Sequence, residues 1–474
     1  MGEVQQPSFF EKTFANLAEA WRDVAASAAR SVGLTRADAR GPRSDRALRA
    51  LMTECLEARG GEVSARMRAA ELGKCYLELD AAGKRRFLEI LAHGFAVNQT
   101  LVEDRILSYR SAETSEQQLK AEAGLRNALQ PPRVKLLTQF NALPEGVKFL
   151  VDMRAELLPH VAEDPHLKAL DADLRELLVS WFDVGFLDLR QITWDSPASL
   201  LEKVIAYEAV HEIRSWDDLH NRLESDRRLY ALFHPRMPNE PLAFVEVALV
   251  RGLAGNIQAV LDEQAPSEDV DGQDTAIFYS ITNTQRGLKG VSFGDYLIKR
   301  VVDLLSRELP QLKTFATLSP VPGFARWLAR AKPEDLAPAF GEDDRAVLCQ
   351  WAGRDDLRDA LAVLVERPEW RNDRVLADRL KWPLMRLCAR YLETTRPDGR
   401  PIDPVARFHF KNGARLERVN WMANAAPNGL RESLGLMVNY RYVREDIERN
   451  HEAYMEKGRL ALSSEVKALL KPQR

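Results

Sequence analysis

Ala276-Ile277-Phe278-Tyr279-Ser280-Ile281, then Gln285-Arg286-Gly287-Leu288-Lys289-Gly290-Val291-Ser292-Phe293-Gly294, is the stretch on which the fold turns. The first run is short, apolar and aromatic, and reads as a buried strand. The second carries the glycines of a loop, and Leu297, Ile298 and Val301 then fall at helical spacing. Strand, loop and helix in that order make an α/β unit. Glycines there let backbone N–H groups approach an anion, and the helix start adds partial positive charge. Arg286, Lys289, Lys299 and Arg300 place cations nearby. The glycine spacing matches neither the P-loop nor the dinucleotide fingerprint. An ordinary turn with glycines for packing explains the segment equally well, so on this stretch alone both readings stand.

Outward from it, Arg228–Phe233, Leu242–Val250 and Thr314–Leu318 read as further strands, with helices over about 325–395. Ala406–Phe410, Arg415–Trp421 and Leu434–Tyr442 return to strand patterns, giving a mixed sheet with a helical insertion. Residues 1 to about 190 differ in kind. Leu48, Leu51, Met52, Cys55 and Leu56 make one apolar helix face. Asp80 is placed to cap a helix carrying Phe87, Ile90, Leu91 and Phe95, and Leu170, Leu174, Leu177, Leu178 and Trp181 repeat the stripe. No fixed repeat is visible, so this part is expected to be an all-α helical bundle. No residue pattern in it points to chemistry.

Composition narrows the function classes. The formal net charge is −3, from 67 basic and 70 acidic residues, which provides no global field for nucleic acid. Cys55, Cys75, Cys349 and Cys388 form no CxxC pair, and the histidines show no metal spacing, so neither a disulfide framework nor a metal is expected. No apolar run is long enough to span a membrane. Glu3, Glu11, Glu19 and Asp23 disfavour a transit peptide, and the final Lys471-Pro472-Gln473-Arg474 is not a peroxisomal signal, so the expected location is cytoplasmic.

Two further segments could carry chemistry. Leu318-Ser319-Pro320-Val321-Pro322-Gly323-Phe324 puts Ser319 at a strand end, with prolines that would aim its hydroxyl outward. A plain helix N-cap is the other reading of Ser319. Phe408-His409-Phe410-Lys411-Asn412-Gly413 reads as a strand running into a hairpin turn, which would point His409 away from the core-facing phenylalanines.

Together these segments resemble the malonyl-CoA decarboxylase family, through His234–Pro241, Thr275–Val301, Leu318–Phe324 and Ala406–Tyr442. The resemblance implies a helical oligomerisation domain over 1–190 and a catalytic domain over 191–474. The latter is expected to be a GNAT-like α/β domain, related to the acetyltransferases. It implies a CoA-binding loop at Lys289, Gly290, Val291, Ser292, Phe293, Gly294 and Asp295, although relatives can carry Glu where this chain has Ser292. It implies Ser319 and His409 as catalytic residues, with Ser280 and Tyr442 in the same site. The implied reaction takes malonyl-CoA to acetyl-CoA and CO2 through an enolate, with no cofactor and a homodimer or homotetramer as the assembly. A GNAT-type N-acyltransferase is the alternative on the same fold, and a non-catalytic acyl-CoA sensor a third reading.

Overall fold

The computed structural model of the chain describes residues 20–21, 44–57, 61–266, 269–291 and 293–471. Two compact units result. The first takes the chain to Leu187 together with His234–Asn239 and Gln285–Ser292, and the second takes the remainder.

The first unit contains α1 (Asp45–Glu57), α2 (Gly61–Leu77), α3 (Ala81–Gly94), α4 (Gln99–Arg110), α5 (Ser115–Leu129), α6 (Pro132–Phe140), α7 (Gly146–Leu157) and α8 (Pro165–Trp181). The predicted stripes form its core. Leu48, Met52 and Cys55 of α1, Phe87, Ile90 and Leu91 of α3, and Leu170 and Leu174 of α8 are buried in one cluster. Asp80 caps α3, its Oδ1 accepting from Gly83 N at 2.7 Å. Trp21 lies fully buried in the same cluster, edge-on to Phe149, and donates its indole N–H to Pro144 O at 2.8 Å. Helices α4 and α5 pack on each other and bury little else, only Val102 and Ala128 being inaccessible.

Among the described residues the second unit is built on eight strands: β1 (Asp188–Ile192), β2 (Arg227–Phe233), β3 (Ala243–Val250), β4 (Thr275–Asn283), β5 (Thr314–Thr317), β6 (Ser319–Pro320), β7 (Arg415–Asn420) and β8 (Met437–Arg441). Their order is β1-β2-β3-β4-β5-β8-β6, with β7 also on β8. Only β4 and β5 run parallel. Joining a parallel pair needs a long crossover, supplied by helix α10 (Gly294–Glu308), with helix α9 (Ala198–Tyr207) earlier in the chain. Leu297, Ile298 and Val301 of α10 are fully buried, as their spacing predicts. The helical insertion includes Glu342–Ala352, Leu357–Glu366 and α11 (Arg374–Glu393). The expected architecture of a helical region followed by a mixed sheet with a helical insertion is the one observed.

Two local expectations fail. Residues 188–192 form an edge strand where helix was expected to continue, because its one buried residue is Ile192 and the rest reads as polar surface. Residues 406–410 are not a strand but the middle of helix α12 (Pro404–Lys411). Asp403 caps that helix, accepting from Ala406 N at 2.8 Å, and Pro404 suits its first turn. Ala406, His409 and Phe410 share its buried face, at the i, i+3, i+4 spacing of a helix. Asn412-Gly413 ends the helix rather than turning a hairpin. Gly413 has φ +76°, and a Cβ there would meet Ile447 O at 2.1 Å, so only glycine fits.

Candidate active site

The parallel ladder between β4 and β5 ends at Phe278 opposite Thr317. Ser280 and Ser319 each lie two residues further on, where the two strands part. Ser319 then pairs with Val438 of β8. Its reading as a helix N-cap fails, because the following helix is capped at Gly323 without any side chain. Asn439 of β8 ties β5 to the loop after β3, its amide donating to Thr317 O at 2.7 Å and to Ala254 O at 3.0 Å.

Helix α12 brings His409 to Ser319 from 90 residues away, with Nε2 at 3.1 Å from Ser319 Oγ. The other ring nitrogen, Nδ1, is 2.8 Å from the Tyr442 hydroxyl, and the ring stacks on Tyr440 at 4.4 Å between centroids. The Ser319 hydroxyl donates to Thr317 Oγ1 at 2.8 Å, and Thr317 Oγ1 also accepts from Tyr440 N. With its one proton so placed, Ser319 accepts from His409 Nε2–H, and Nδ1 accepts from Tyr442 O–H. The result is a directional chain, Tyr442 to His409 to Ser319 to Thr317. Each of these four side chains is buried.

Burial pushes the His409 imidazole down, from the ordinary 6.5 to about 3. Burial, then the Arg222 charge, lowers His211 to about 4. Both rings are therefore neutral in the folded protein at pH values where the unfolded chain binds protons. The unfolded state takes up more protons between about pH 6.5 and 4, so stability falls as pH falls through that window. Urea titration is expected to find a loss on the order of a few kcal/mol between pH 7 and pH 4; a midpoint that stays constant would contradict neutral burial.

Ser280 is held differently. Its Oγ lies 2.8 Å from both carboxylate oxygens of Glu208, at the end of α9. Thr282 Oγ1 donates to the same carboxylate at 3.1 Å, and Val210 N and His211 N donate to it at 2.8 Å. The Ser280 proton is thus committed to Glu208, leaving Ser280 only lone pairs to offer a ligand. Nothing local in the sequence marks Glu208, which closes an ordinary helical stripe.

The segment from Gln285 belongs to the first unit. Arg154 of α7, 2% exposed, donates from Nη1 to Gly287 O at 2.6 Å and Lys289 O at 2.9 Å, and from Nε to Asp171 Oδ1 at 2.8 Å. Gly287 lies so close to α7 that a Cβ would come within 1.8 Å of Val151 O. Gly290 turns with φ +82°. Lys289 and Gly290 are exposed, whereas Val291 and Phe293 are buried. Ser292 lies outside the described residues, and Gly294 and Asp295 open α10. Lys299 pairs with Glu448 at 2.9 Å, and Arg300 lies over the Tyr296 ring. Among the described residues, no group of His, Cys, Asp and Glu could hold a metal ion, and no helix is long and apolar enough to cross a membrane.

Residues 185–474 match the family model described as malonyl-CoA decarboxylase C-terminal domain. The chain belongs to the malonyl-CoA decarboxylase family. The family's N-terminal domain model matches residues 95–182. The mitochondrial malonyl-CoA decarboxylase of Anser anser anser is 37% identical over 418 residues, covering 85% of this chain and 83% of that protein. That of Rattus norvegicus is 38% identical, over 82% of each. The crystal structure of malonyl-CoA decarboxylase from Rhodopseudomonas palustris superposes with a TM-score of 0.81 at 43% identity, covering 90% of this chain and all of that one. The structure from Agrobacterium vitis gives 0.80 at 44% identity, covering 90% of this chain and 99% of that one.

Within this family member, Gly287 provides a direct stability test. Gly287→Ala forces a methyl against the Val151 carbonyl, and the turn must lift off α7. The expected cost is about 1–3 kcal/mol, read as a lower thermal midpoint; an unchanged midpoint would show that the turn relaxes freely.

Proposed function

We propose that this chain releases CO2 from malonyl-CoA and leaves acetyl-CoA, with Ser319, His409 and Tyr442 at the chemical centre. The observation that carries the proposal is the contact at 3.1 Å between Ser319 and His409, two polar groups brought together from distant segments in a buried setting. In the reaction the bond between C2 and the carboxylate carbon breaks, and its electron pair enters the thioester as an enolate. A proton then bonds to C2, completing the acetyl group, and is replaced from solvent.

The enolate needs donors already in position when its charge develops. One such donor is worth about 3 kcal/mol of transition-state stabilisation. His409, held neutral, donates from Nε2, and Tyr442 stands behind it on Nδ1 to restore the proton. Ser319 is placed to orient the malonyl group and to relay that proton. A free serine hydroxyl is too weak a base to act alone, which favours this role over proton abstraction.

Incubation with malonyl-CoA and no other reactant tests the proposal. Equimolar CO2 and acetyl-CoA are expected. A GNAT-type N-acyltransferase would stay silent until an amine acceptor is added, and a sensor would bind without turnover.

We also propose that the helical part, 1–190, joins subunits into a homodimer or homotetramer, leaving 191–474 for catalysis. Leu101, Leu107 and Tyr109 on α4 and Leu119 and Leu129 on α5 are exposed, an apolar set suited to a second copy. Light scattering is expected to give a dimer or tetramer mass, reduced by Leu107→Glu with Leu119→Glu; an unchanged mass would place the interface elsewhere. The free thiols of Cys55, Cys75, Cys349 and Cys388 fit a reducing compartment, for which we propose the cytoplasm. The goose and rat relatives are named mitochondrial, so cell fractionation decides between the two.

A further inference from the structure

The helical unit carries no catalytic motif, yet it holds the segment on which CoA binding is expected. Within that segment the backbone has few donors to spare. The amides of Leu288, Lys289 and Val291 already donate to Gln285 O, Arg286 O and Leu288 O at 2.9–3.1 Å. The carbonyls of Gly287 and Lys289 are turned onto the buried Arg154, which removes their negative ends from the exposed side. Charge on a phosphate meeting this turn must therefore be met by side chains, beside whatever backbone N–H groups remain.

One such side chain comes from the helical unit itself. Arg175 on α8 is exposed, and its Nε lies 3.6 Å from where a Cβ would stand on Gly290. Lys289, the residue before, is also exposed. On the preceding turn of α8, Asp171 pairs with Arg154 and Asp173 with Arg133 at 2.6 Å, and the adjoining Glu176 is exposed. A guanidinium beside an exposed glycine turn has the fork geometry for phosphate oxygens, and glycine lets a ligand come close. We infer that Arg175, with Lys289, contacts the nucleotide phosphates of the CoA ester, and that Arg154 is a positioning residue that shapes the turn for them.

This inference rests on the malonyl-CoA reading and names a part of its substrate site. CoA carries a pyrophosphate and a 3′-phosphate, whereas pantetheine carries neither, and the comparison isolates the contact. Arg175→Gln is expected to raise KM for malonyl-CoA about tenfold, the scale of one charge-assisted hydrogen bond, with a much smaller effect on kcat. For malonyl-pantetheine the variant and the parent should share one KM. Arg175→Lys should recover part of the loss, and added salt should narrow the gap. An unchanged KM for malonyl-CoA, or an equal rise for malonyl-pantetheine, overturns the assignment. Arg175 is exposed, so its replacement spares the core. Should the parent protein release no CO2, the decarboxylase reading fails by itself, and calorimetry with acetyl-CoA against acetyl-pantetheine still decides the role of Arg175.

Discussion

Replacing His409 by Asn is expected to lower kcat for CO2 release by about 10²- to 10⁴-fold, the range for losing a positioned proton donor. The imidazole bonds on both edges, to Ser319 at 3.1 Å and to Tyr442 at 2.8 Å. An Asn side chain is shorter and cannot span both, so the chain of donors is cut in the middle. Stacking on Tyr440 is lost as well. Ser319→Ala should cost about 10²–10³-fold, the scale of a single removed donor. Because the two act as one unit, the double variant should be hardly worse than His409→Asn alone. Acetyl-CoA binding, measured separately, should survive in each. Near-normal CO2 release from both single variants would remove Ser319 and His409 from the chemistry.

Asp403→Ala should be the most destabilising single change near the site, by about 2–4 kcal/mol, from a lost cap and a stranded hydroxyl. Asp403 is fully buried, and burial pushes its carboxyl up. One oxygen caps α12 through Ala406 N, and the other accepts from Tyr391 O–H at 3.0 Å. Tyr391 in turn stands against Gly323, where a Cβ would come within 2.0 Å of its hydroxyl oxygen. Asp403 thus ties the helix bearing His409 to the end of the segment bearing Ser319. Asp403→Asn keeps an acceptor for the helix and should lose clearly less. Urea unfolding of both variants checks this, and equal losses would mean that the cap contributes nothing.

Much of the architecture is legible in the residues, because apolar stripes and short apolar runs report burial directly. The helical bundle, β2 to β5, β7, β8 and the crossover α10 all follow from such patterns. The misreading at Phe408-His409-Phe410 has a physical origin. The five residues Ala406–Phe410 alternate apolar with polar and so satisfy a period of two, and the cap at Asp403 with Pro404 is the signal that breaks the tie. Strand β1 escapes notice because an edge strand with one buried residue has no apolar pattern. Ser319 can be placed at a strand boundary by reading alone, whereas Ser280 lies inside β4, which runs on to Asn283 against β3. Glu208 and Arg154 cannot, since each acts on a segment far along the chain: Glu208 on Ser280, and Arg154 on Gly287 and Lys289.

The clamp of Arg154 on that turn also limits how this protein can be cut and recombined. A fragment starting at Asp188 would contain β1 to β8, yet residues 285–291 would have lost the helix against which they are moulded. Exchanging the helical half for that of a relative would succeed only if the donor half carries the same pairing, an arginine facing two carbonyls and room for a residue without a side chain. The helices and that turn are therefore matched parts, fitted to each other at a glycine.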